Sequence, residues 1–184
     1  MSDEHSEQID SPLGLANEVN QLMKMPQHLC HQRGNCCRVA TFKGSLTYEQ
    51  ILELSQQDSP DSEHARDFSS VFVPYDSQEA ARKVADVFVD RVRNFAETKG
   101  QNPDEITFFG CKFLLDEGRC GVHEDRPQGC RAYPFPHKNT IYHPGCGFEQ
   151  QSTINWNKIS DILTMLGMDP DTIGQTESSD STDS

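Results

Sequence analysis

Apolar residues recur at helical spacing in four stretches of the chain. Leu15, Val19, Leu22 and Met23 lie on one face of a segment that Pro26 ends, which predicts a helix over residues 13–25. Thr47 and Gln50 form a capping-box pair ahead of Ile51, Leu52 and Leu54, predicting a short helix over 47–57. Ala81, Val84, Phe88, Val92 and Phe95 follow steps of three and four, giving the longest helix, 77–98, with Asp76 as its cap and Lys99-Gly100 at its close. A last helix starts at Ser152 or Thr153, carries Ile159, Ile162, Leu163 and Leu166, and stops at Gly167.

Between these stretches the pattern changes. Residues 58–70 are Asp- and Ser-rich and read as a surface connection, and Phe72 to Tyr75 as a short strand or a packed loop. Thr107 to Phe109 and Phe113 to Leu115 are strand-like, Asp116-Glu117-Gly118 makes a turn, and Cys120 to Val122 returns as the other arm of a hairpin. That hairpin sets Cys111 near Cys120. Thr140 to Tyr142 adds another short strand. Residues 1–12 and the acidic, Ser/Thr-rich 169–184 are expected to be disordered. The fold class that results is α+β: one small domain over residues 13–168, helices around short strands and a hairpin, with a metal site borne on its loops.

Charge narrows the class of function. A formal net charge of -13 argues against a nucleic acid or an anionic membrane as partner, since phosphate binding needs clustered Lys and Arg. No apolar run reaches the length of a membrane span, and the charged start MSDEHSEQID does not read as a secretory signal, so a cytoplasmic location is expected. Yet the chain turns locally basic where its cysteines lie. Arg33, Arg38 and Lys43 face no acid between Cys30 and Lys43, and Lys112, Arg119, Arg126, Arg131 and Lys138 outnumber the acids between Cys111 and Cys146. Positive charge of this kind lowers thiol pKa values and offsets the charge that thiolates bring to a metal.

The seven cysteines fall in two groups, Cys30, Cys36 and Cys37 in LCHQRGNCCRVA, then Cys111, Cys120, Cys130 and Cys146. An odd count in a reducing compartment argues against a disulfide framework and for metal binding. No two cysteines are separated by two residues, so the zinc-knuckle and thiol-redox signatures are both missing. Two mixed pairs have that spacing, Cys120-Gly-Val-His123 and His143-Pro-Gly-Cys146, and imidazole is an ordinary zinc ligand. Wide, loop-borne spacing suits a centre assembled by the tertiary fold: an iron-sulfur cluster of the 4Fe-4S type, or a zinc or iron ion. The missing knuckles tilt the choice towards the cluster. In an extended segment Cys36 and Cys37 point to opposite sides, and Cys37 is expected to face the later group. A nucleophilic cysteine with His123 or His143 as base is less specific, because no one cysteine stands apart. Paired-carboxylate, P-loop and dinucleotide signatures are absent.

The run G-C-K-F-L…C-G-V-H-E-D-R-P-Q-G-C-R-A-Y-P-F, with Cys146 beyond it and the C…C-C-R group upstream, resembles the YkgJ-type cysteine-cluster family of zinc- or iron-chelating domains over residues 28–150. The resemblance implies that Cys30, Cys36, Cys37, Cys111, Cys120, Cys130 and Cys146 are metal ligands. The family's upstream group reads C-x-x-C-G-x-C-C, and here Arg33 stands at its second cysteine, leaving seven cysteines where eight would complete the pattern. One branch is similar to flagellin lysine-N-methylases with an iron-sulfur centre, but no further region of this chain supplies a separate catalytic domain.

Pro127 and Pro134 stiffen the loops on both sides of Cys130, and Arg126 and Arg131 can neutralise a site there, while Tyr133 and Phe135 also suit ordinary packing. The leading expectation is a protein that binds an iron-sulfur cluster, zinc or iron through thiolates. A second is an iron-sulfur enzyme performing group transfer, with a pocket lined by Arg131, Tyr133 and His137 as cofactor-side residues. A third is a structural zinc-binding interaction module.

Overall fold

The computed structural model describes residues 11–31, 33–43 and 46–172. Those residues form seven α-helices and one two-stranded antiparallel sheet, an α+β chain. They divide into two compact units, one of residues 11–25, 135–138 and 150–172, the other of residues 26–134 and 139–149. Every cysteine belongs to the second unit. No helix among the described residues is long and apolar enough to cross a membrane.

The second unit is built on one short strand. β1 (Phe72–Pro74) and β2 (Phe109–Cys111) pair antiparallel, Phe72 opposite Cys111 and Pro74 opposite Phe109. On its other side Phe109 exchanges both backbone hydrogen bonds with Ala40, at 2.8 and 2.9 Å. Successive side chains of an extended chain point to opposite faces, and here they enter different cores. Phe108 joins Val39, Ala81, Phe88, Val89 and Val92, while Phe109 joins Phe42, Ile51, Ala65 and Phe68. Both rings are essentially fully buried, which by area alone contributes about 1.5–3 kcal/mol each.

α5 (Gln78–Thr98) covers the first core. Ser77 caps it, its hydroxyl accepting from Ala80 N at 3.2 Å, so the expected Asp76 cap is corrected by one residue. Ala81, Phe88 and Val92 are buried as the stripe predicts, but Val84 is exposed and Val89 and Ala96 are buried instead. The cause is a break at Ala85 (φ -154°, ψ 66°), which turns the stripe relative to its first turn.

α3 (Tyr48–Ser55) starts on the Thr47–Gln50 capping box, with both hydrogen bonds present. The Asp/Ser-rich stretch read as a surface connection is instead α4 (Ser62–Val71). Its polar composition hides a buried face of Ala65, Phe68 and Val71 at helical spacing, on which Phe68 packs edge-on to Phe109 at 5.0 Å.

The expected hairpin is reduced to one bridge, Leu114 with Cys120, around a turn in which Leu115 N bonds to Arg119 O and Gly121 N to Phe113 O. Thr140 to Tyr142 is irregular chain rather than a strand, and residues Gln128–Ala132 form a short helix, α6, that the pattern did not predict.

In the first unit, α1 (Pro12–Leu22) begins at Ser11, whose hydroxyl accepts from Gly14 N, and lays Val19 and Leu22 against α7 (Glu149–Met165). Trp156, Ile159 and Leu163 form the facing stripe, and Asn155 Nδ2 donates to Leu22 O at 2.8 Å. α7 starts three residues before the predicted Ser152. Of the ends expected to be disordered, residues 1–10 and 173–184 lie outside the described residues, Ser11 caps α1 and Pro12 opens it, and Pro170–Thr172 is a 3-10 turn whose Asp171 pairs with Lys138.

Candidate metal centre

A single glycine lets α2 (Asn35–Arg38) start where it does. Gly34 caps that helix at φ +67°, and a Cβ placed there would lie 2.2 Å from Gly118 O and 2.8 Å from Leu114 Cδ1. α2 is thereby laid directly on the turn between Leu114 and Cys120. The far end of α2 is tied as well: Tyr75 donates its hydroxyl to Arg38 O at 2.6 Å, and Ala40 is paired with Phe109. Two consecutive cysteines are therefore carried on a helix beside the end of β2.

Being helical, Cys36 and Cys37 stand about 100° apart around an axis rather than on opposite sides of an extended strand. Each still meets different partners. Cys37 shares a hydrogen bond with Cys111 and senses the charge of Cys120. Cys36 senses Cys30 and Cys146, and is hydrogen-bonded to Cys37. Cys130, on α6, senses Cys111 and Cys120. The sulfurs thus sort into a group of four, Cys37, Cys111, Cys120 and Cys130, and a group of three, Cys30, Cys36 and Cys146, joined through the Cys36–Cys37 pair.

The group of three owes its contact to a second glycine. A Cβ on Gly147 would lie 2.1 Å from Leu29 O and 3.0 Å from His31 Nε2, so only glycine lets the Cys146 loop close against the segment that bears Cys30. A cleft of about 90 Å³ opens there, with Cys30, Cys36, Cys130 and Cys146 among its lining residues, together with Tyr133 and His31.

Crowded sulfur shapes the acidities. The bond to Cys37 holds the Cys36 thiol below its ordinary range despite some desolvation and two neighbouring thiolates. For Cys37 the Cys111 bond acts downward, but the Cys36 bond, burial and neighbouring thiolates outweigh it and push the group up to about 12. Cys111 is raised by its bond to Cys37 and by burial. Cys130 is raised by burial and by Cys111, with Arg126 opposing. Cys146 is raised by burial, against a hydrogen bond from the Phe148 backbone. Groups that repel one another's charge in this way gain most from a cation placed among them.

All seven cysteines are free thiols. Among the described residues no three Cys, His, Asp or Glu side chains close on a common point at ligand distances. The donors are gathered in two neighbourhoods without being drawn into a coordination shell. In chemistry they fit a soft metal: thiol sulfur dominates, guanidinium charge lies beside it, and Phe113 N donates to Cys111 Sγ at 3.4 Å, the kind of backbone bond that tunes a metal-bound thiolate.

The other expected residues fall as follows. Tyr133 lines the cleft, and burial, then the charges of Cys36 and Cys146, raise its phenol. Arg131 is turned along its own loop, its guanidinium donating to Arg126 O at 2.9 Å and to Glu124 O. His137 packs on Trp156 in the other unit. His123 is exposed, and its carbonyl accepts from Arg126 Nε. His143 is buried, its ring stacked on Phe88 at 3.7 Å and its Nε2 on Val39 O at 2.8 Å; burial lowers it to about 4.

Two residues escaped the sequence reading. Asp67 of α4 accepts from Gly129 N at 2.9 Å and so fixes the start of α6 under Cys130. It lay hidden in a stretch that looked like a connection. His31 was passed over because its spacing to any later cysteine is uninformative, although it adjoins Cys30 in sequence.

Comparison with known proteins agrees with this chemistry. No curated protein and no solved structure matches the chain. One family model does, over residues 29–147, a span that begins one residue before Cys30 and ends one after Cys146 and so takes in every cysteine. With well over half of its length matched, this metal-binding chain belongs to the CxxCxxCC family, described as a putative zinc- or iron-chelating domain.

Proposed function

We propose that the chain binds a single zinc or iron ion through the thiolates of Cys37, Cys111, Cys120 and Cys130, with Cys30, Cys36 and Cys146 forming a second donor group beside it. The observation that carries the reading is the hydrogen bond between Cys37 and Cys111, which joins the two distant cysteine groups of the sequence. For a metal–sulfur bond of about 2.3 Å, tetrahedral geometry puts the sulfurs about 3.8 Å apart. The thiolates of a 4Fe-4S cluster each bind a different iron and stand wider, so a direct Cys37–Cys111 contact supports the reading of one ion ahead of a cluster.

Metal bound here draws α2, the end of β2 and α6 together, and Arg126 balances part of the thiolate charge. Tyr133 bounds the cleft next to the group of three, while Arg131 braces the loop that leads into α6.

The test is metal and acid-labile sulfide analysis of protein purified without oxygen, on the native chain and on Cys111→Ser. Bound zinc or iron without sulfide, lost in Cys111→Ser, is the expected result. Sulfide in amounts matching iron, with a brown colour, would replace the single ion by a cluster, and absence of any metal would overturn the reading.

A further inference from the structure

The chain carries 29 acidic side chains, yet none of them lines the cleft beside the group of three cysteines. Two guanidiniums do, those of Arg33 and Arg126. Arg33 is exposed, and its Nη1 lies 3.8 Å from the position of a Gly145 Cβ, against the turn that leads into Cys146. Arg126 is half-buried, donates from Nε to His123 O at 3.1 Å, and acts with its charge on Cys130. Among the described residues neither forms an ion pair. A cleft lined by charge of one sign raises the local concentration of the opposite sign. In a chain of net charge -13 this cleft is a local exception, drawing in a small anion that the rest of the surface repels.

The same cleft offers one thiol ahead of the others. Cys30, Cys36, Cys130 and Cys146 all line it, but of the seven cysteines Cys36 alone is exposed, the rest being half-buried. An accessible thiol in one cleft with two unpaired guanidiniums is placed to exchange with a disulfide that bears negative charge.

We propose that Cys36 is a thiolation site, at which the cleft selects a small disulfide bearing carboxylates, of the glutathione class. The Cys36 thiol gives its proton to solvent, and the thiolate attacks one sulfur of the disulfide. A bond from Cys36 Sγ to that sulfur forms, the original sulfur–sulfur bond breaks, and its electron pair leaves on the other half as a thiolate. Arg33 and Arg126 hold the carboxylates, for which the guanidinium fork is the matching donor. A cleft of about 90 Å³ admits one end of such a molecule. Cys36 in this form cannot donate to a metal, and exchange with a second thiol restores it. The proposal goes beyond metal binding and does not depend on it.

The test exposes the metal-free, reduced full-length protein to three disulfides: anionic glutathione disulfide, neutral hydroxyethyl disulfide and cationic cystamine. Peptide mass mapping identifies the cysteine modified first. Each rate is divided by that disulfide's rate with a small neutral thiol, which removes differences between leaving groups. Cys36 is expected to react first, with glutathione disulfide ahead of cystamine by roughly 10-fold or more at low salt. That lead should shrink in high salt on the native protein and vanish in Arg33→Gln/Arg126→Gln, while Arg33→Lys/Arg126→Lys keeps most of it. The rate with hydroxyethyl disulfide should be the same in all three proteins, since it reports access to Cys36 and exposes any variant that has misfolded. First modification at another cysteine, cystamine matching or leading glutathione disulfide, or a lead that survives loss of both guanidiniums overturns the proposal. With no metal present, each of these outcomes leaves the zinc or iron reading untouched.

Discussion

Replacing Gly34 by alanine tests the link between α2 and the turn beside Cys120. The substitution does two things. It places a side chain at φ +67°, which costs about 1–2 kcal/mol in left-handed geometry. It also drives a methyl group to 2.2 Å from Gly118 O, where contacts below 3.0 Å are not tolerated, so the helix and the turn must part by at least about 0.8 Å. Overpacking of that size adds about 1–3 kcal/mol, for a total of about 2–5 kcal/mol. Gly100→Ala is the control. It has a similar φ of +71° but no neighbour within 4 Å, so only the conformational cost applies.

Urea unfolding of the metal-free, reduced proteins gives both stabilities, and zinc titration gives the affinity. Gly34→Ala should be the less stable of the two and should bind zinc more weakly, because Cys37 is moved away from Cys111. Equal losses in the two variants, with zinc affinity intact in Gly34→Ala, would refute the claim that this contact sets the cysteine geometry.

Three further outcomes follow from the structure. Tyr75→Phe removes the hydroxyl that holds Arg38 O and should cost about 1–2 kcal/mol in urea unfolding. Asn155→Leu leaves Leu22 O without its side-chain donor, and should destabilise by about 1–3 kcal/mol, read as a lower midpoint of thermal unfolding, with zinc affinity unchanged. His143 titrates at about 4 when folded against an ordinary 6.5, so between those values the unfolded chain holds more protons. Its contribution is present in full above pH 6.5 and is lost as pH falls towards 4. The loss reaches about 3 kcal/mol and should be absent in His143→Gln, both measured on the metal-free protein.

Much of the helical frame was legible because its signals are local. The Thr47–Gln50 box needs no knowledge of the rest of the chain, whereas the first helix ends at Leu22, short of the stop expected at Pro26. The α5 stripe was right at Ala81, Phe88 and Val92 and wrong at Val84, beside the break at Ala85, which no single residue announces. α4 was missed because only Ala65, Phe68 and Val71 supply apolar side chains to its buried face, which Ser62 shares, and the burial of Ala65 and Phe68 is decided by Phe42 and Phe109 elsewhere in the sequence. The site followed the same rule. Cysteine content pointed to metal, and family likeness to the set. How the sulfurs divide depends on α2 being a helix seated against Gly118, a tertiary fact that the spacing of Cys36 and Cys37 does not contain. Arg131 looked equal to Tyr133 as a cleft residue, yet two backbone carbonyls hold it along its own loop.

The central claim is that two cysteine groups far apart in sequence meet in the folded chain. Mild diamide oxidation of the metal-free protein, followed by peptide mapping of the bridges formed first, tests this without depending on any metal. The account predicts bridges across the groups, Cys37 to Cys111 foremost and Cys146 to Cys36 or Cys30 next. Bridges confined to Cys30, Cys36 and Cys37 on one side and to Cys111, Cys120, Cys130 and Cys146 on the other would contradict it.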